Sequence, residues 1–137
     1  MKLTTALVNV QTAPPAPASR IAQVGEALGV PLPGDLCALW SESDGVEGDM
    51  DDNVHVVVWG TDEIVSLNAA YEVSEFFPGL ILVGSDGGDT GVGFLGSTER
   101  IEYVAVPLIG MGPDAILARG ADLVALLSAF SASMVDE

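Results

Sequence analysis

Four stretches of the chain repeat apolar residues at helical spacing, so that each predicts a helix with one buried face. The stripes are Ile21, Val24 and Leu28; Leu36, Leu39 and Trp40; Ile64, Leu67 and Tyr71; and Leu123, Leu126, Leu127 and Phe130. Typical start and stop residues flank them. These are Ser19 and Gly29 for the first helix, Pro33 for the second, Thr61 or Asp62 and Pro78-Gly79 for the third, and Gly120 and Asp122 for the last.

Four other runs are apolar or β-branched and short, which is typical of strands. They cover residues 54–59, 80–83, 92–95 and 101–108, and Pro107 places the last one at a sheet edge or ends it. The glycine-dense segment 84–91 between two of these runs predicts a tight hairpin turn. Strands clustered in the middle, with helices at both ends and one inserted, indicate an α+β fold with a mainly antiparallel mixed sheet.

The length of 137 residues fits one domain. Residues 12–18 are rich in proline and can form neither a helix nor a central strand. We therefore expect residues 1–18 to be an N-terminal tail and linker, followed by a domain over residues 19–137. Residues 1–11 lack a clean signal-peptide pattern, and no apolar run approaches the ~18 residues of a membrane-spanning helix, so we expect a cytoplasmic protein.

Charge is the most unusual property of the composition. Twenty acidic residues stand against four basic ones, a formal net charge of −16. Binding to nucleic acid or to an anionic membrane needs clustered basic residues, so both ligand classes are disfavoured. A basic protein surface is the ligand that this field would attract, although acidity that serves only solubility is an equally good explanation.

Most of the candidate binding residues fall in one segment. Residues 41–53 predict an acidic loop, and two further acidic residues lie in the predicted hairpin turn. The candidates for partner binding are Glu42, Asp44, Glu47, Asp49, Asp51, Asp52, Asp86 and Asp89. The segment that begins at Asp49 does not match a calcium-binding EF-hand loop. Val54 and Gly60 occupy its sixth and twelfth positions, where an EF-hand needs Gly and Glu.

Candidate catalytic groups are few. The single histidine, His55, lies in an apolar strand, and the single cysteine, Cys37, lies in an apolar-faced helix. A Cys37–His55 dyad is conceivable, but a packed thiol is the better interpretation. The glycines near Asp86 match neither a phosphate loop nor a dinucleotide fingerprint. A hydrolase would need a carboxylate pair with separated pKa values, which sequence does not reveal. We expect no catalytic residue, metal or cofactor.

The order of these landmarks resembles the SUKH superfamily over residues 19–131. The matching features are a first helix, then Leu32-Pro33 with Leu36, Leu39 and Trp40, then Asp44-Gly45, Trp59 before a helix with Ile64, Asn68 and Tyr71, Pro78-Gly79, a strand into residues 84–88, and a final helix after Asp122. That superfamily includes the fungal cell-wall-synthesis regulator and bacterial immunity proteins of polymorphic toxin systems. The proline-rich leader and the acidic segment 41–53 depart from its pattern.

The resemblance implies a mixed sheet flanked by helices and a role in binding protein partners. Its bacterial members neutralise a cognate toxin by direct binding, and no shared contact motif assigns contact residues here. Together with the charge, it predicts a non-enzymatic immunity protein that occludes a basic toxin domain. The alternative is a regulatory or scaffolding domain that binds an intracellular protein, and the oligomeric state stays open.

Overall fold

The chain forms one α+β domain, as the sequence predicts. A computed structural model describes residues 2–50, 54–96 and 100–134. The helices are α1 (Leu3–Ala6), α2 (Ala18–Leu28), α3 (Gly34–Glu42), α4 (Ile64–Ala70), α5 (Val73–Phe76) and α6 (Leu123–Met134), with a 3₁₀ turn at Pro113–Ala115. The strands are β1 (Val8–Thr12), β2 (Val46–Met50), β3 (Val54–Val58), β4 (Leu80–Ser85), β5 (Thr90–Gly96), β6 (Ile101–Pro107) and β7 (Ala118–Gly120).

In the described part of the chain the strands form a seven-stranded sheet whose spatial order follows the sequence. Each strand pairs with the next in antiparallel orientation. The predicted hairpin joins β4 to β5, and Gly87 in its turn has a φ of +83° that favours glycine. Pro107 ends β6, which lies inside the sheet between β5 and β7.

The two faces of the sheet are covered by largely different helices. On one face, α2, α3 and α6, with Ile64 at the start of α4, pack over inward side chains of β2 to β6 and form the larger core cluster. On the other face, α4 and α5 pack on β4. The smaller cluster beneath them consists of Trp59, Val73, Phe77, Leu80, Leu82, Val104, Val106 and Met111. On this second face, the apolar cluster and the two helices therefore cover the later strands of the sheet.

The predicted α3 stripe is confirmed and centres on Trp40. Leu36 and Trp40 are fully buried and Leu39 is nearly so. The Trp40 indole N–H donates to the carbonyl of Trp59 at 2.9 Å, immediately after β3. The Trp40 carbonyl accepts the N–H of Ala16 at 2.8 Å. One buried residue thereby fixes α3 to the sheet and to the proline-rich segment.

The predicted α6 stripe is also confirmed, since all four of its apolar residues are buried. Asp122 caps the helix, because its carboxylate accepts the N–H of Ala125 at 2.7 Å. Gly120 in β7 lets the helix approach, because a Cβ there would lie 2.3 Å from the backbone nitrogen of Leu126. The last helix thus packs directly on the edge strand that precedes it, a strand that the sequence did not predict.

The N-terminal segment differs from the expected tail and linker. Leu3 and Leu7 are buried in the larger core, and β1 pairs with β2. Residues 13–16 are tied to the end of α3 and the residues after it, for example through the Asp44 N–H, which donates to the carbonyl of Pro14. Residues 2–18 are therefore part of the domain. Proline prevents a helix in residues 13–16. It is compatible with an extended segment, the N-terminal strap, whose carbonyl groups still accept hydrogen bonds.

The β1 strand is irregular at its open edge. Its register against β2 shifts between Val8 and Gln11, and Asn9 has a φ of +55°. Asparagine tolerates this left-handed conformation better than most residues. The first strand therefore pairs with the sheet on one side while its outer edge is bent.

The sequence predicts one loop over residues 41–53, and this prediction is wrong for residues 41–42, which end α3, and for residues 46–50, which form β2. Glycine and aspartate are depleted in strands, which masked the signal. Val46, Gly48 and Met50 nevertheless alternate with Glu47 and Asp49, and the burial follows that alternation. Asp51 and Asp52 lie outside the described residues. None of the described helices is both long and apolar enough to cross a membrane.

Replacing Trp40 by phenylalanine should destabilise the fold by about 1–3 kcal/mol, because it removes a buried hydrogen bond and part of a buried ring. Chemical denaturation of wild type and Trp40→Phe measures the difference in the free energy of unfolding. Tyr71→Phe is the control, because it removes the polar atom of a partly exposed ring and should cost less than about 0.5 kcal/mol. Equal losses for the two variants would contradict the role of Trp40.

Candidate functional site

The acidic residues singled out in the sequence separate into three groups. Glu47 and Asp49 point outward from β2, and Asp86 and Asp89 lie in the turn between β4 and β5. Glu42 lies at the end of α3, and Asp44 follows that helix. Among the described residues, the predicted acidic loop is therefore replaced by a helix end and a strand, while Asp86 and Asp89 lie in the turn that the sequence predicts.

The acidic sheet face consists of Glu47, Asp49 and His55, on the side of β2 and β3 opposite to α2, α3 and α6. Asp49 is the direct cross-strand partner of His55 in the antiparallel register. Residues that alternate with them, such as Val54 and Val56, are buried in the larger core. Alternation of side chains along a strand thus places these three polar residues together on the outer surface.

His55 bridges the two carboxylates. Its Nδ1 lies 2.9 Å from Asp49 Oδ1 and its Nε2 lies 2.8 Å from Glu47 Oε2. An ionised carboxylate only accepts hydrogen bonds, so both contacts are satisfied when both ring nitrogens carry a proton. The other oxygen of Asp49 accepts the side-chain N–H of Asn9 at 3.1 Å. The arrangement favours the imidazolium form and holds both carboxylates in place.

These contacts shift two pKa values in opposite directions. The hydrogen bonds to Asp49 and then to Glu47 raise the pKa of His55 above its ordinary 6.5. The hydrogen bonds from His55 and then from Asn9 lower the pKa of Asp49 below its ordinary 3.8. The His55 and Asp49 side chains are 41% and 35% exposed, so water screens the interaction and its contribution to stability is small.

The hairpin turn passes beside this face. A Cβ on Gly87 would lie 3.2 Å from His55 Cδ2, so the backbone of the turn lies close beside the imidazole ring. Asp86 has a structural role in the turn, where its Oδ1 accepts the N–H groups of Gly88 and Thr90. Asp89 has an exposed side chain, and its carbonyl accepts the N–H of Leu108. The structure therefore brings the turn and the β2 carboxylates to the same region of the sheet.

Asp44 and Glu42 make other contacts. The Asp44 carboxylate accepts the N–H and the hydroxyl of Thr61 at 2.6 and 2.9 Å, and Arg20 lies 3.9 Å away. This half-buried carboxylate ties the end of α3 to the start of the α4 region. Glu42 is exposed and lies 3.6 Å from Lys2 Nζ. Asp44 thus belongs to the scaffold, whereas Glu42 lies at the surface.

Basic side chains of the chain pair with some of its carboxylates. Lys2, Arg20 and Arg119 each lie within 4 Å of a carboxylate of the chain, Glu42, Asp44 and Glu102 respectively. Since twenty acidic residues stand against four basic ones, such pairs leave the net charge strongly negative.

Cys37 and His55 are not brought together as a dyad. Both ring nitrogens of His55 face carboxylates, while the half-buried Cys37 packs against the larger core. Burial, and then the Asp35 carboxylate, raises the pKa of the Cys37 thiol above its ordinary 9.0. This supports its interpretation as a packed thiol, because the thiolate is the nucleophilic form. Within the described ranges, no group of three or more His, Cys, Asp or Glu residues could hold a metal ion.

Sequence reasoning missed His55 as a surface residue. The run 54–58 is apolar apart from His55, so it predicts a strand without showing which face of the sheet His55 lies on. One signal in the sequence could have located His55 at the surface, namely the alternation of apolar and acidic residues over 46–50. This alternation identifies β2 as a strand, and the antiparallel pairing of β2 with β3 then places His55 opposite Asp49. Comparison with known proteins finds no protein-family model that matches this chain and no curated protein with a significant match to its sequence.

The pKa of His55 should lie above 6.5 and return toward that value in Asp49→Asn and Glu47→Gln variants, each of which removes one negative acceptor. A proton NMR titration of the single imidazole measures it. The imidazolium contributes stability below pH 6.5, and this contribution is lost as the pH rises through the raised pKa. A wild-type value at or below 6.5 would contradict the bridge.

Cys37 should react slowly with iodoacetamide at pH 7.5, because its raised pKa leaves little thiolate and its side chain is half-buried. We expect the native protein to react about tenfold more slowly than the urea-unfolded chain. Mass spectrometry of timed samples measures both rates on the same single cysteine. A native rate that equals or exceeds the unfolded rate would show an activated thiol instead.

Proposed function

We propose that this chain is a non-enzymatic binding protein for a basic protein surface, and specifically an immunity protein that neutralises a cognate toxin. The observation that carries the proposal is the acidic sheet face, on which the exposed Glu47 and the partly exposed Asp49 are held in place by His55. The resemblance of the sequence landmarks to the SUKH superfamily supports the immunity role.

Fixed carboxylates suit a binding surface. The bridge by His55 and the contact of Asn9 with Asp49 reduce the side-chain freedom that binding would otherwise remove. A β-sheet also holds neighbouring side chains at defined spacing. A partner that presents Lys or Arg at matching positions meets acceptors that are already oriented.

The overall charge acts at longer range. A net charge of −16 attracts a basic domain before contact and raises the association rate. Nuclease toxins are one class that presents such a basic surface, because their substrate is a polyanion. Occupying that surface would block substrate access without any chemical step by the binding protein.

The binding surface is tested with immobilised wild type, a Glu47→Gln/Asp49→Asn variant and a Glu63→Gln/Glu75→Gln control, incubated in a native lysate of the source organism. The control removes two negative charges from exposed positions in the α4–α5 region. Wild type and control should retain the same protein, and the sheet-face variant should retain at least about fivefold less. If all three retain the captured protein equally, the acidic sheet face is not the binding surface.

The captured protein is then purified for kinetics and toxicity. Its association rate should fall about tenfold or more between 20 and 150 mM salt, because screening shortens the reach of the charges. Co-expression of this chain should restore growth to cells that make the captured protein. A salt-independent rate would contradict steering, and a captured protein with no toxicity would favour the regulatory-domain alternative.

A further inference from the structure

A groove of about 860 Å³ lies away from the acidic sheet face. It lies between α3, the start of α6 and the N-terminal residues that precede and begin α1. The α3 groove is lined by Lys2, Leu3, Asp35, Ala38, Leu39, Ser41, Glu42, Asp122, Leu123 and Val124. Its size is within the range of pockets that hold a ligand or a short peptide.

The floor of the groove follows one face of α3. Asp35, Ala38, Leu39 and Glu42 are spaced at i, i+3, i+4 and i+7, which places them along one side of the helix. At 1.5 Å per residue, the two acidic positions are roughly 10 Å apart along the axis, with apolar surface between them. The groove therefore offers an apolar centre with a carboxylate toward each end.

The carboxylate of Asp35 is well held. It accepts the hydroxyl of Tyr103 at 2.8 Å and the N–H of Leu123 at 3.0 Å. Asp122, the third acidic residue of the groove, accepts the N–H of Ala125. Each carboxylate has lone pairs beyond the bonds it makes here. The groove thus combines three acidic residues with one basic residue, Lys2, which gives it a negative potential.

The chain itself shows which chemistry this groove accepts. Lys2 lies 3.6 Å from Glu42 at one end of the groove, and the adjacent Leu3 is buried in the larger core. A basic side chain next to an apolar one is therefore already accommodated at the Glu42 end. The Asp35 and Asp122 end has no basic residue among the described lining residues.

We infer that the α3 groove binds an extended segment of a partner protein in which an apolar residue is flanked by two basic residues. In an extended chain, residues i, i+2 and i+4 face the same side, and the outer two are roughly 13 Å apart. Flexible Lys or Arg side chains on those two positions reach carboxylates about 10 Å apart, while the central apolar side chain lies over Ala38 and Leu39.

The probe is the acetylated and amidated peptide Lys-Ala-Leu-Ala-Lys, titrated into ¹⁵N-labelled full-length protein. Amide shifts should map to groove residues such as Ala38, Ser41 and Val124. The peptide Glu-Ala-Leu-Ala-Glu is the charge control and should cause no shifts there. Absence of shifts with the lysine peptide, or shifts confined to β2 and β3, would overturn the inference.

Three variants test the fit. Ala38→Phe fills the exposed apolar floor and should weaken binding at least about tenfold. Glu42→Gln should weaken it about threefold to tenfold. Lys2→Ala should strengthen it about twofold or more, because Lys2 competes for Glu42. Binding that is unchanged by Ala38→Phe would overturn the groove as the site.

The remaining controls separate this site from the proposed function. Glu47→Gln/Asp49→Asn should leave the peptide affinity within about twofold, because the acidic sheet face is a different surface. Loss of peptide binding in that variant would overturn the groove assignment. If pentylammonium binds as tightly as the peptide, the groove is a site for a small organic cation and the inference is overturned. If the amide shifts of groove residues change with protein concentration in the absence of peptide, the occupant is a second copy of this chain, which also overturns it.

Discussion

The arrangement of this domain depends on the buried indole of Trp40. Its N–H reaches the carbonyl of Trp59 at the end of β3, and its own carbonyl receives the N–H of Ala16. A hydrogen bond inside the core is costly to leave unmade, so these contacts define the position of α3 as well as stabilise it. The helix then carries Asp35 to Tyr103 and Leu123, which fixes the start of α6. The sheet, α3, the start of α6 and the N-terminal strap are thus positioned relative to one residue.

The unequal cover of the sheet explains where the polar surfaces lie. The α4 and α5 helices are short, and they pack on β4 over an apolar cluster from the later strands. The outward positions of β2 therefore meet solvent, and Glu47 and Asp49 are stable there without apolar neighbours above them. The same reasoning applies to α3, whose buried stripe faces the sheet while Asp35, Ala38 and Glu42 border the groove. Both candidate binding surfaces follow from positions that the core did not require to be apolar.

The sequence predicts the elements whose local signals agree. The stripes of α3 and α6, the strand at residues 54–58, and the hairpin around Gly87 combine strong periodicity with suitable capping or turn residues. It does not predict β1 and β2, because proline next to one and glycine and aspartate within the other oppose strand propensity. Pairing in the sheet overrode that propensity.

The contact of His55 with Glu47 and Asp49 depends on register across two strands, which no single stretch of sequence contains. Asp44 likewise seemed a surface residue until Thr61 was placed beside it.

The bent outer edge of β1 has a consequence for how copies of the protein meet. A flat edge strand exposes a row of unpaired amide and carbonyl groups on which another chain can add a strand, and this addition is the elementary step of fibril growth. The register shift between Val8 and Gln11 and the left-handed Asn9 interrupt that row. The opposite edge, β7, has only three residues and is packed against α6. Neither edge of the described sheet is a long regular template, so backbone geometry as well as charge opposes the ordered aggregation of this acidic protein.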